Sequence, residues 1–518
     1  MKTWCAFPAT PLKSPLVRGG TCSRRALNFF TTSLPRGDLA CPFLRTDAGV
    51  GREIRSRLSN RLLKKPFVTQ RTPVLPPTDR ESVPKPAVST DSLSDPVANR
   101  ARRRIFRRLI PFVFILYIIA YLDRANVAFA KMPMSADLGF SEAVFGLGAG
   151  IFYAGYILLE IPGALIVERW SAKIWMSRIM ITWGLCTVWV GLIHTANQFY
   201  LTRCLLGIAE GGFFPGIVVY LSHWFTKHDR ARAMAGFTMA APAALVVGAP
   251  ISALILQLNA LGLAGWRWMF ILEGLPAVAL GVAILFFLTD NPQQAQWLEA
   301  DEREWISFRL DEEKQELRRG GHLTIWLGLR QRNVLFLALA CAFANLSMFA
   351  YLLWLPSTIR NASGLSGALS TICSALPFAL AMITIPIVGR SSDRTGRRKL
   401  HTIIPLVLAA CFFLLSTIPG LPFPVVLLLL CCTGAATFSW GVSFWVIPTL
   451  ILGESTAAAS VGFINMVNSV GSFLGPTVVG YLLSKNFTHR EVVTFLSSCF
   501  LISATLVAAV RARRNSVL

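Results

Sequence analysis

The sequence predicts an all-α membrane protein of twelve transmembrane helices arranged as two pseudo-symmetric six-helix bundles. Three observations carry that prediction. The 518-residue chain is 54% hydrophobic and only 15% charged, with a mean hydropathy of +0.54, whereas soluble chains run about 25% charged. Its apolar residues gather into runs of about 20, the length a helix needs to cross roughly 30 Å of hydrocarbon. One long polar stretch, Asp290 to Arg332, divides those runs six and six.

Residues 1–100 form a basic leader rich in Arg, Ser, Pro and Thr, without an apolar run that could span a bilayer, and they read as disordered. They hold 17 Lys and Arg against 7 Asp and Glu, so +10 of the net +23 lies in the first fifth of the chain. Three accounts fit this leader. It resembles an organellar transit peptide, or it is a basic tail for anionic lipid or nucleic acid, or translation starts downstream, between Val88 and Arg100. The third is favoured and requires a non-ATG codon, because no Met occurs between Met1 and Met132.

From Arg102 onward, spans are expected near 107–130, 143–167, 174–194, 198–224, 234–258 and 267–289 in a first bundle (101–289). A second bundle (333–511) holds spans near 333–358, 366–389, 401–419, 422–449, 457–483 and 491–510. A cytoplasmic central loop (290–332) joins them, and 512–518 is a cytoplasmic tail. Orientation follows from loop cations, which favour the cytoplasmic side. The loops after even-numbered spans, tail included, hold 20 Lys and Arg; the opposite loops hold five, Lys131, Arg267, Arg360, Lys485 and Arg490. Both termini are therefore expected in the cytoplasm. The basic balance of the body needs no nucleic acid, and the 11 cysteines show no paired spacing of a zinc site or disulfide framework.

Between spans 8 and 9 stands Gly389-Arg-Ser-Ser-Asp393-Arg394-Thr-Gly396-Arg397-Arg398-Lys399. A degenerate counterpart, Gly163 to Lys173, lies between spans 2 and 3, with Glu168 and Arg169 as its acidic-basic pair. The offset of 225 residues between Glu168 and Asp393 is what two related halves produce. An acidic residue at a helix end can pair with a nearby Arg and with the positive N-terminus of a helix in the other half, in only one of two rocking states. Topology anchoring alone explains the cations but not the acid at the span edge or the glycine spacing. Gly389, Asp393, Arg394, Arg397, Glu168 and Arg169 are accordingly expected to form a conformational latch.

The loop between spans 8 and 9 resembles the cytoplasmic signature of the major facilitator superfamily. Further motifs narrow the resemblance: Tyr121-Leu-Asp-Arg-Ala-Asn126, Phe152-Tyr-Ala-Gly-Tyr156 through Glu160-Ile-Pro162, Arg203 through Glu210-Gly-Gly-Phe-Phe-Pro215, Gly265-Trp-Arg-Trp through Glu273-Gly-Leu-Pro276, and Phe444-Trp445 through Pro448. These are similar to the anion:cation symporter branch, which imports organic anions such as tartrate, galactonate, glucarate, phthalate and hydroxyphenylacetate with protons. The resemblance covers about residue 100 to the C-terminus. It implies the major facilitator fold, alternating access, the proton as coupling ion with no other cofactor or metal, and a small organic anion as substrate.

An ionisable residue inside a span costs about 2.5–3.5 kcal/mol on insertion scales and is a functional candidate by default. Asp123 and Arg124 lie in span 1, Arg203 and Glu210 in span 4, Glu160 in span 2 and Glu273 in span 6. Arg203 and Glu210 are two helical turns apart on one face, about 10.5 Å along the axis. In the resembled family spans 1 and 4 line the central cavity, which brings Asp123 and Arg124 opposite that face. A substrate carboxylate entering such a pocket displaces an acidic side chain, which then takes up a proton. Asp123 and Glu210 are the expected proton carriers, Arg124 the contact to the substrate carboxylate, and Arg203 the partner of Asp123 or Glu210 before substrate binds. Glu160 and Glu273 stay open between structural and functional roles.

Span 7 supplies no cation to clamp a phosphate, so carboxylates are favoured over phosphate esters. Through the resemblance Asn465 is expected at the substrate, with Trp445 and Tyr121 capping the pocket; Asn468 and Ser469 depart from the glycine-rich run usual there. Tartrate or a sugar acid is the expected substrate, with aromatic acids, anion exchange or a transporter-like sensor as alternatives. An enzyme is not supported, since phosphate loop, HExxH motif and nucleophile elbow are all missing. The expected setting is a bacterial inner membrane and a monomer, or a plastid envelope if the leader is a transit peptide.

Overall fold

The computed structural model describes residues 96–169, 171–319, 331–451 and 454–511. The leader up to residue 95 and the tail from 512 lie outside the described residues. Helix 1 runs Pro96–Leu138, so residues 96–100 belong to the body and not to the leader as expected. Proline suits the first helical position, where its missing N–H is not needed, and Ala98 and Ala101 are already fully buried.

The remaining helices of the first half are helix 2, Glu142–Arg169; helix 3, Ala172–Val190; helix 4, Ala196–Glu210 then Phe213–Ser222; helix 5, Lys227–Thr238 then Ala240–Ile255; and helix 6, Gly265–Phe287. The second half comprises helix 7, Arg332–Ser363; helix 8, Gly367–Cys373 then Leu376–Thr395; helix 9, Arg398–Leu415; helix 10, Phe423–Phe444 then Ile447–Ile451; helix 11, Glu454–Ser484; and helix 12, His489–Ala509. Eleven of these are long and apolar enough to cross a membrane, helix 3 being the twelfth element. Its first turns carry Lys173 and Arg178, and it packs along helices 4 and 6.

The packing repeats from one half to the other. Helix 3 lies on helix 6 as helix 9 lies on helix 12, helix 2 on helix 4 as helix 8 on helix 10, and helix 1 on helix 5 as helix 7 on helix 11. Across the halves, helix 2 meets helix 11 and helix 5 meets helix 8, the exchanged pairs that a pseudo-two-fold axis requires. The seam between helices 2 and 11 is built from glycine. A Cβ on Gly480 would stand 2.8 Å from the Cα of Gly146, and one on Gly150 2.6 Å from the Phe473 carbonyl. At the same end of the bundle Glu142 pairs with Lys131 at 2.9 Å and accepts from Trp354 of helix 7 at 2.8 Å.

The expected central loop contains a helix, Ala300–Arg319. It docks on the first half. Arg100 reaches Asp301 at 2.6 Å, and Arg104 reaches Glu299 at 2.6 Å and Glu302 at 2.9 Å. Glu313 accepts from the Lys227 amide at 2.8 Å and faces Arg230 at 3.5 Å. Helix 5 starts seven residues before its expected span, and its first turn is tied to helix 1 through Asp229 and Arg102 at 2.9 Å.

Candidate functional site

Helix 4 breaks immediately after Glu210. Gly212 takes φ +90°, a left-handed value that side chains resist, and a Cβ there would stand 2.9 Å from the Cα of Gly163 on helix 2. This close backbone approach places the fully buried Glu210 carboxylate opposite helix 1. Arg124 donates through Nε and Nη2 to its Oε1, at 2.8 and 2.5 Å. The rings of Tyr121, Phe152 and Tyr156 surround the guanidinium at 5.9, 5.7 and 5.2 Å, an aromatic cage for a cation.

Arg203 is held differently. Its Nε donates to the Gly148 carbonyl at 3.4 Å, its guanidinium lies 4.8 Å from the Phe152 ring, and its Nη1 is buried without a partner among the described residues. Asp123 accepts from Thr187 at 2.8 Å. The expected pairing is thus exchanged: Arg124 holds Glu210, and Arg203 bonds to neither acid. The physical reason lies in helix geometry. Two turns separate Arg203 from Glu210, whereas Arg124 arrives from helix 1 at the level of the carboxylate.

Arg124 and Arg203 line one small cavity between the halves, with Phe152 and Tyr153 of helix 2, Phe349 and Leu353 of helix 7, and Pro476 of helix 11. Tyr121 reaches the site through its ring on Arg124. Trp445 does not line the cavity; it caps helix 10 with its ring 5.3 Å from Phe444.

Asn465 sits elsewhere than expected. Its side-chain amide donates to the Glu160 carboxylate of helix 2, whose other oxygen accepts from Ser469 at 3.3 Å. Glu160 is 5% exposed, so a buried acid of one half is solvated by two polar side chains of the other. The sequence does show the signal, since Ser469 stands where glycine is usual, but only the fold brings it to Glu160. Glu160→Gln keeps an acceptor for Asn465 and Ser469 and should retain substrate counterflow, whereas Glu160→Ala should reduce it about tenfold through loss of a buried hydrogen bond to a charge.

The latch residues divide. Asp393 pairs with Arg398 at 2.5 Å, not with Arg394 or Arg397, and is 72% exposed. Arg397 occupies the N-cap of helix 9, and Gly396 closes helix 8 at φ +70°. A Cβ on Gly389 would stand 3.2 Å from Val442 of helix 10. Among the described residues the Asp393 bonds stay within the second half. Glu168 and Arg169 close helix 2, and their side chains lie outside the described residues. The acid serving the start of helix 3 is Asp290, from the end of helix 6: it accepts from the Ser171 hydroxyl at 2.6 Å and the Lys173 amide at 2.8 Å. Negative charge at a helix N-terminus is stabilising. Lys399 answers it in the second half, donating to the Ala508 and Val510 carbonyls at the end of helix 12, at 3.0 and 2.7 Å.

Two packed helical halves with a charged cavity between them define a multi-pass membrane transporter of a small molecule. The family model described as Major Facilitator Superfamily matches residues 113–476, and the chain belongs to that superfamily as a permease-like transporter, not an enzyme. It is 38% identical over 431 residues to a protein of Agrobacterium vitis named as a tartrate transporter, covering 82% of this chain and 98% of the relative. A quinolone resistance transporter of Acinetobacter baumannii is 35% identical over 413 residues, covering 79% and 95%. A metabolite transport protein, NicT, of Pseudomonas putida is 34% identical over 424 residues, covering 79% and 94%. Among solved structures, the inward-open xylose transporter of E. coli matches with a TM-score of 0.64 at 15% identity, over 79% of this chain and 97% of that one. A bacterial homologue of the human lysosomal transporter Spinster matches at 0.60 and 17%, over 79% and 95%. At these identities the structures bear on the fold alone.

Proposed function

We propose that the protein is a proton-coupled symporter that imports a small organic carboxylate, of the tartrate or sugar-acid class, by alternating access. The observation that carries the reading is Arg203: a buried guanidinium with an unpartnered nitrogen, lining a cavity shared with a second arginine. A carboxylate is the natural occupant, because planar bidentate donors match its two oxygens. The anion first engages Arg203 and then competes with Glu210 for Arg124. Once displaced, the Glu210 carboxylate takes a proton, and Asp123 carries the other.

The name of the Agrobacterium vitis relative, a tartrate transporter, supports a carboxylate substrate. Aromatic lining by Phe152, Tyr153 and Phe349 favours an aromatic acid as the second reading. The cation bias of the loops supports an orientation with both termini cytoplasmic, and the bacterial relatives support an inner membrane.

Counterflow in liposomes with labelled tartrate, galactonate and hydroxyphenylacetate tests the substrate class. With the substrate so found, Asp123→Asn and Glu210→Gln should exchange it yet lose proton-driven accumulation. Unchanged accumulation in both variants would remove the proposed coupling.

A further inference from the structure

Helix 3 carries a cation on the side turned away from the protein. Its buried residues, Met176, Met180 and Trp183 among them, pack toward helices 4 and 6. The opposite face is a narrow stripe on which Ile174, Leu185 and Trp189 are exposed, the first two at 62% and 58%. At about 100° per residue, these three and Arg178 fall within about 60° of one another around the helix axis. Arg178 therefore lies inside an otherwise apolar stripe facing hydrocarbon. It follows Ala172, the first residue of the helix, by about 9 Å along the axis. A charge inside a span is costly and asks for a partner, and on this side no helix stands opposite to supply one.

The guanidinium of Arg178 lies on the Trp175 ring, 3.9 Å from its centroid. Trp175 stands one turn nearer the start of the helix, the direction in which helical side chains lean. Arg178 Nε and Nη2 are buried with no partner among the described residues, and so is Trp175 Nε1. Buried polar atoms are almost always satisfied, and each exception asks for an account. All three atoms here are donors, and no acceptor answers them. No charged side chain among the described residues bears on Arg178. Asp290, the described acid at this end of the helix, has one oxygen on the Ser171 hydroxyl and the other on the Lys173 amide. Lys173 adds a second cation at the same end.

We propose that Trp175 and Arg178 bind the phosphodiester of an anionic phospholipid, in the leaflet on the side of the central helix, with its acyl chains running along the Leu185 side of the stripe. A phosphodiester offers only acceptor oxygens and a full negative charge, which suits three unmatched donors and the planar fork of a guanidinium. A soluble phosphate has no reason to enter a stripe that faces hydrocarbon, whereas a phospholipid brings its phosphate there on its own chains. The unmatched groups on this face are all donors, so the ammonium of a zwitterionic headgroup would find no acceptor among the described residues. A headgroup ending in a neutral polyol does not need one. Basic pockets at this depth are where anionic headgroups bind membrane proteins. The lipid supplies Arg178 from outside with the counter-charge that Glu210 supplies to Arg124 inside.

The test is thermal unfolding of the purified, delipidated full chain in a neutral detergent, with phosphatidylglycerol, phosphatidylethanolamine or phosphatidylcholine added, and with glycerol phosphate as the chainless control. A ligand that binds only the folded state raises the melting temperature with its concentration. Phosphatidylglycerol should raise it by a few degrees in the parent and should lose that effect in Arg178→Gln and Arg178→Met, while the two zwitterionic lipids and glycerol phosphate do little in any of the three. An equal response to phosphatidylglycerol in the parent and both variants overturns the proposal. So does equal stabilisation by phosphatidylcholine, which would show no preference for an anion, or by glycerol phosphate, which would make the site one for a soluble anion. If the variants do not fold, a photoactivatable phosphatidylglycerol on the unaltered protein decides: labelling of the segment holding Trp175 and Arg178, competed by phosphatidylglycerol and not by phosphatidylcholine, supports the site, and labelling only elsewhere removes it. No substrate is present in these measurements, so their outcome is independent of the counterflow assay for carboxylate import.

Discussion

Arg124→Ala is expected to abolish uptake and to lower the melting temperature by on the order of ten degrees. Removing one partner of a buried pair costs about 3–5 kcal/mol, because the other charge is left without compensation, and each kcal/mol moves the midpoint by about 2–4 °C in a protein of a few hundred residues. Here the abandoned group is Glu210, fully buried at the break in helix 4. Adding Glu210→Ala removes the stranded acid, so the double variant should recover much of the lost stability and none of the transport. Thermal unfolding in detergent, set beside liposome uptake, measures both arms of that cycle. A double variant as unstable as Arg124→Ala would show that the pair does not carry the packing of helices 1 and 4.

Gly480→Val should stop transport without unfolding either half. The new Cβ would stand 2.8 Å from the Gly146 Cα and 2.5 Å from the Glu142 carbonyl, where real Cβ atoms do not come within 3.0 Å of anything. Its neighbours are backbone and cannot rotate aside, so helices 2 and 11 must part at this end. Packing within each half is untouched. Counterflow should fall at least about tenfold, while the purified protein stays monodisperse and a cysteine placed beside Gly146 becomes more reactive, consistent with overpacking costs of about 1–3 kcal/mol. Counterflow within twofold of the parent would show that the seam opens and closes without needing glycine.

The fold was legible because lipid demands long apolar helices and gives each a length. Helix ends were less so. Residues 96–106 of helix 1 are held by Asp301, Glu302 and Asp229, acids near or beyond residue 229 that no local pattern announces. Arg124, Glu210, Asp123 and Arg203 were legible as a group, because ionised residues in spans are rare enough to stand out. Their pairing was not, since it depends on the Gly148 carbonyl of helix 2 taking Arg203 while helix 1 brings Arg124 to the level of Glu210. Glu160 and Asn465, 305 residues apart, could be joined only by the packing of helix 2 on helix 11. Asp290 read as the first residue of a polar break, although it caps helix 3 from the end of helix 6.

The central helix also sets an order in time. The acids that meet Arg100 and Arg104 follow them by 195 to 201 residues, which at about 5–20 residues per second is roughly 10–40 s of synthesis. Throughout that interval the six spans of the first half emerge while Arg100 and Arg104 have yet to meet their acidic partners. Glu299, Asp301 and Glu302 arrive only after helix 6 has been made. Arg100 and Arg104 therefore become the anchors of the central helix only at that point, so the first half acquires these lasting contacts before helix 7 exists.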